Sequence, residues 1–203
     1  MTKILSYIID TYSPDSVIVY GSFADGSSDE DSDFDALVIA DGEPRHDRST
    51  VAGTMLDVFI RPPRTFEAEF APDEFVQILD GQIVLDKSGA AARLMNAVRA
   101  YVSGFSAKSV EERRQALGWC QKMLARTARR DAEGNYRHHW LPTDSLEIYF
   151  ELTGLYYRGP KKALRFLEQN DPEGFSLYSR ALTDFSQDSL AKWIAYLGDK
   201  LHE

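Results

Sequence analysis

A single cysteine among 203 residues rules out an internal disulfide, which fits a protein of the reducing cytoplasm. Cys120 falls at helical spacing with Leu117 and Leu124, the position of a buried helix-face thiol and not of a nucleophile. No Cys/His cluster has zinc-binding spacing; His138 and His139 are adjacent, and adjacent helical residues point in different directions. No apolar run approaches the roughly 20 residues of a membrane span. The start, MTKILSYIIDTYSPDS, lacks the cleavage pattern of a signal peptide, so no membrane association is expected. Internal repeats and low-complexity linkers are also missing. The chain has a formal charge of −9 and no basic stripe beside an aromatic platform, which argues against a nucleic-acid-binding surface.

What is present is enough apolar content for a core, 43%, and an uneven division of charge. Residues 1–87 hold 18 acidic and 6 basic side chains, whereas residues 88–203 hold 14 and 17. The pattern changes character at the same point. Before Lys87, short β-branched runs alternate with turns: a helix over Thr2–Tyr12, strands at Val17–Tyr20, Ala36–Ile39 and Met55–Ile60, a break at Pro62-Pro63, a helical turn over Arg64–Glu69 and a strand at Gln82–Leu85. Beyond Ser88 the periodicity is helical. One helix carries Val110, Leu117, Cys120, Leu124 and Ala128 and stops near Glu133-Gly134-Asn135. Another carries Leu146, Tyr149 and Phe150, and a last one Leu190, Trp193, Ile194, Leu197 and Leu201. These patterns predict an α+β chain, with a catalytic domain over 1–87 built on a small mixed sheet and an all-α helical bundle over 88–203. Bundle faces rich in Tyr, Phe and Trp also suit a homodimer.

The segment Asp15–Ile39, DSVIVYGSFADGSSDEDSDFDALVI, carries the chemistry. A strand ends at Gly21-Ser22, where a turn into a helix leaves backbone N–H groups free for phosphate oxygens. Ten residues later, Asp33 and Asp35 lead into the second strand, and residues two apart on a strand share a face. Asp57 is the one acid in the apolar run Met55–Ile60, costly to bury as an ion unless a cation or partner meets it. Three acids converging at strand ends repel one another without a cation; Mg²⁺ turns that repulsion into coordination. Taken singly, each element has an ordinary explanation, because Gly-Ser is a common turn and this stretch is rich in acids. Their order and coincidence are the signal.

This arrangement resembles the nucleotidyltransferase superfamily typified by DNA polymerase β, and in particular its small bacterial members, with Gly21, Ser22, Asp33, Asp35 and Asp57 on the pattern. The likeness is close over about residues 1–87 and loose beyond. It implies two Mg²⁺ ions held by Asp33, Asp35 and Asp57, with ATP or another nucleoside triphosphate as donor. Gly21 and Ser22 would hold the phosphates, and Asp57 is also a candidate to take the acceptor's proton. One departure is plain: small members often carry a basic residue just after Gly-Ser, and this chain has Phe23-Ala24-Asp25.

The two-part layout is similar to the kanamycin- and lincosamide-type enzymes, whose helical domain covers nucleotide and acceptor and can supply a carboxylate base. Within RHHWLPTDSLEIYFE (137–151), Pro142-Thr143 reads as a helix cap. Asp144, Glu147 and Glu151 then share one side, so Asp144 and Glu147 are the acceptor-side candidates, although such a stripe is also what a solvated helix face looks like. Tyr156-Tyr157-Arg158 and Lys161-Lys162 suit base stacking and phosphate binding, and equally core aromatics and surface lysines. The acceptor that this resemblance implies is a hydroxylated small molecule, such as an aminoglycoside or lincosamide. Alternatively it is a partner protein, as for the AMP-transferring antitoxins encoded with HEPN-type toxins. A nucleotide-binding module without transfer activity is the third reading.

Overall fold

Val17, Ile18 and Val19 are buried because the strand they form, β1 (Ser16–Val19), is an interior strand of a mixed sheet whose two faces are both covered. The structure, a computed structural model, describes residues 1–67 and 69–201. The remaining strands are β2 (Phe34–Ile39), β3 (Arg45–Asp47), β4 (Thr50–Val51), β5 (Thr54–Arg61) and β6 (Gln82–Asp86). Their order is β3-β5-β2-β1-β6, with β4 pairing β5. Every pairing is antiparallel except β2 with β5, which is parallel.

The period-two alternation of the strands feeds two separate cores. Val17, Val19, Phe34, Ala36, Val38, Leu56, Val58 and Ile60 face α1 (Thr2–Tyr12), which contributes Ile4 and Ile8. Ile18, Tyr20 and Leu37 point the other way and pack with Phe75 and Ile78 of a 3₁₀ segment and with Leu94 and Val98 of α3 (Ala90–Ser103). A cap at Asp86 sets α3 on the sheet: its carboxylate accepts from the N–H groups of Ala91 (3.2 Å) and Ala92 (3.0 Å). The chain divides into two compact units, Met1–Gly104 and Phe105–Glu203, so α3 belongs with the sheet although it lies beyond Lys87.

The second unit is helical: α4 (Val110–Thr127), α5 (Ala132–Thr153), α6 (Pro160–Asn170), α7 (Pro172–Thr183) and α8 (Gln187–Lys200). Trp193 is wholly buried at its centre, and its indole N–H donates to Ser145 Oγ at 2.8 Å. Two readings of this region are corrected. The first long helix stops at Thr127, and Glu133-Gly134 belongs to the first turn of α5, because Asp131 caps that helix by accepting from Gly134 N–H at 2.8 Å. Pro142-Thr143 is no cap either. Helix α5 runs through Pro142, whose carbonyl accepts from Ser145 Oγ (3.2 Å) and Tyr178 OH (3.1 Å).

Asp171 ties three helices of this unit together. It caps α7 through Gly174 N–H (3.1 Å) and accepts from Tyr149 OH (2.8 Å) and Tyr196 OH (2.5 Å), with Lys200 Nζ at 3.7 Å. Burial alone raises its pKa. The tyrosine and backbone donors and Lys200 outweigh that, and the net direction is downward. A lowered carboxylate pKa adds stability that is present above the unfolded value of about 3.9 and is lost as pH falls through the folded value. Asp171→Asn is therefore expected to melt earlier than the parent at pH 7, and the gap is expected to narrow below about pH 4. Melting curves across pH 2–8 check it; a gap that does not change with pH would refute the ionic role.

Candidate active site

Gly21, two residues beyond β1, has φ 66° and ψ −152°, a conformation that essentially only glycine adopts. Ser22–Asp25 then form one short helical turn, α2, with Ala24 N–H donating to Gly21 O at 3.1 Å. A second constraint acts on the same residue. A Cβ on Gly21 would lie 2.1 Å from Asp35 Oδ2, so the carboxylate occupies the space that a side chain would need. The Gly-Ser turn and the Asp-x-Asp segment of the sequence thus meet in space.

Asp35 lies within β2, and Asp33 precedes the strand in exposed chain. The parallel register sets Asp35 directly opposite Asp57, and Leu37 opposite Phe59. Partners in a parallel pair project to the same face, so two carboxylates stand side by side, both half-buried. Tyr20 lies on this face as well. Its N–H donates to Asp35 O at 3.1 Å, and its phenol pKa is raised by burial and then by the charges of Asp35 and Asp57, with Arg61 acting in the opposite direction.

Three residues at this site were not picked out from the sequence. His46, on β3, donates from Nε2 to Asp57 Oδ1 at 2.5 Å, since an ionised carboxylate can only accept. Its ring stacks on Phe59, with centroids 4.1 Å apart and planes at 11°. The Arg61 guanidinium lies 5.6 Å from the centre of the same Phe59 ring. Phe59 and Arg61 were legible, because residues 57, 59 and 61 of one strand share a face. His46 was not: it lies on a three-residue strand eleven positions before Asp57, and only the antiparallel pairing of β3 with β5 brings it there.

The site fits a divalent cation in a specific way. Among the described residues, no three His, Cys, Asp or Glu side chains are grouped closely enough to enclose a metal. Mg²⁺ asks for less, since it is usually held by one or two carboxylates together with substrate phosphates and waters. The Asp35–Asp57 pair, hard oxygen donors side by side, matches that requirement.

Asp144 and Glu147 belong to the second unit. Pro142 notwithstanding, α5 sets Asp144, Glu147, Ile148 and Glu151 along a groove of about 430 Å³ that is also lined by Ala116 and Trp119 of α4. Burial raises the Asp144 pKa, and Glu151 is ion-paired with Lys108. Burial, followed by the Asp144 charge, pushes the Cys120 thiol up to about 12, which removes it as a nucleophile. In the first unit, the cavity of about 530 Å³ lined by Asp15, Asp41, Pro63, Lys87 and Arg93 lies at the strand ends opposite the carboxylates.

A Gly-Ser turn packed against paired carboxylates on neighbouring parallel strands is an arrangement suited to nucleotide-transferring enzymes. The chain belongs to the nucleotidyltransferase domain family, whose model matches residues 1–117, and it is a nucleotidyltransferase. A solved nucleotidyltransferase-like protein from Exiguobacterium sibiricum is similar over 99% of this chain and 74% of its own, at 12% identity and a TM-score of 0.43. No curated protein matches the chain. Among the described residues, no helix is long and apolar enough to cross a membrane.

Proposed function

We propose that the protein transfers AMP from ATP to a hydroxyl of a small-molecule acceptor and releases pyrophosphate. The observation that carries this reading is the register of Asp35 opposite Asp57, with Gly21 folded against Asp35 Oδ2. Asp35 and Asp57 are the residues that would hold Mg²⁺, with Asp33, just ahead of β2, as a further candidate; the ion would supply Lewis-acid stabilisation of charge on the phosphates. Ser22 and the N–H groups of its turn hold the terminal phosphates and orient the leaving group. Arg61, on the carboxylate face of β5, supplies the cation that Phe23-Ala24-Asp25 lacks. As the acceptor oxygen joins the α-phosphorus and its proton passes to the Asp57 carboxylate, the bond between the α-phosphorus and the α–β bridging oxygen breaks, and that oxygen leaves with the pyrophosphate.

The acceptor-side residues of this reading are Asp144 and Glu147, and the groove they line with Trp119 suits a molecule bearing amines, such as an aminoglycoside. Incubation with ATP, GTP, CTP and UTP labelled at the α-phosphate, with Mg²⁺, an antibiotic panel and a cell lysate, tests it. Label from ATP on a small molecule supports the proposal. Label on a protein band replaces it with the protein-modifying reading. Absence of transfer with every nucleotide, together with metal-independent binding of a non-hydrolysable ATP, replaces it with a binding module.

A further inference from the structure

The third carboxylate does not stand alone on its strand. Asp57 Oδ1 accepts from His46 Nε2 at 2.5 Å, and the imidazole is itself held flat against Phe59 by stacking at 4.1 Å. Three neighbouring strand positions are involved. Phe59 follows Asp57 by two on β5, and His46 is paired with Phe59 across the β3–β5 ladder, so ring, ring and carboxylate share one face. The His46 side chain is one-quarter exposed and that of Asp57 38%, so the pair is open to solvent on its outer side.

Resting on the reading above, we propose that His46 is a positioning residue for Asp57. By holding Oδ1, it fixes the rotation of the carboxylate about its last bond and leaves Oδ2 as the oxygen offered to the site shared with Asp35. A carboxylate on an otherwise apolar strand has a broad, nearly free final torsion, and one charge-assisted hydrogen bond removes that freedom. Partners of this kind behind a ligating group typically change metal affinity by about 10–100-fold. The stacked Phe59 ring holds the plane in which the imidazole meets the carboxylate.

The test uses Mn²⁺ as the probe, titrated by electron paramagnetic resonance into the full chain with an α,β-methylene ATP analogue. Wild type, His46→Ala, His46→Gln and Asp57→Asn are compared, with circular dichroism to verify folding. His46→Ala is expected to weaken Mn²⁺ binding about 10–100-fold. His46→Gln is expected to recover most of it, because its amide can donate from nearly the position of Nε2. In turnover, the loss in His46→Ala is expected in kcat, with the KM for ATP little changed. Unchanged Mn²⁺ affinity in His46→Ala would overturn the proposal, and so would tighter binding, which would make His46 a competitor for Asp57. Equal loss in His46→Gln would reduce the residue to a packing role. Should wild type and Asp57→Asn bind Mn²⁺ alike, the metal reading itself fails, an outcome distinct from a failure of His46 alone.

Discussion

Asp35→Asn is expected to lower turnover by at least about 10³-fold while leaving the fold intact, the loss of several kcal/mol of charge stabilisation at the phosphates. Asp35 is singled out from the three acids by position. It is the one that lies opposite Asp57 in the parallel register and also fills the space beside Gly21. Asparagine keeps the shape and removes the charge, so the geometry of the Gly21 turn is retained and the change isolates electrostatics. Thermal stability is expected to hold or rise slightly, because Asp35 and Asp57 repel each other across adjacent strands. The measurement is a steady-state assay with labelled ATP alongside a melting curve. Turnover within tenfold of the parent would remove the carboxylate pair from the chemistry.

Gly21→Ala is expected to be nearly as damaging for a different reason. Its φ of 66° with ψ −152° lies where a residue with a Cβ pays about 1–3 kcal/mol. The clash at 2.1 Å with Asp35 Oδ2 adds overpacking strain of about 1–3 kcal/mol. The least costly relief is rotation of the Asp35 carboxylate away from the turn, which dismantles the site even where the sheet survives. A double-mutant cycle separates the two parts. In an Asp35→Ala background the nearest remaining Asp35 atom to the new Cβ is its own Cβ, at 3.4 Å, so only the backbone strain persists. Denaturant unfolding of the four proteins is expected to show a coupling of about 1–3 kcal/mol. Strict additivity would mean that the turn and the carboxylate do not touch.

Much of this was legible because it is local. The strands around Val17–Val19, Ala36–Ile39 and Leu56–Ile60 are β-branched runs bounded by turn residues, and a run of that kind forms a buried strand in most contexts. The helix Thr2–Tyr12 was readable from the spacing of Ile4 and Ile8. Boundaries that depend on a tertiary partner were not. Gly134 reads as a helix stop, yet it follows the Asp131 cap and lies where a Cβ would meet the Arg126 carbonyl at 3.2 Å, so it serves close packing. Pro142 reads as a helix start, yet packing against Tyr178 and Ser145 carries α5 through it.

The sequence by itself determined the residue types and their order: strand, Gly-Ser, Asp-x-Asp, strand Asp, followed by a helical chain. These follow from periodicity and turn chemistry, which act over a few residues. Only the tertiary structure decided which of those residues face one another. The parallel pairing of β2 with β5 put Asp35 beside Asp57 and not one place along, and the β3–β5 ladder brought His46 to Asp57. Register is a property of two strands, fixed by burial on both sheet faces at once, and a one-residue slip would send every one of these side chains to the opposite face.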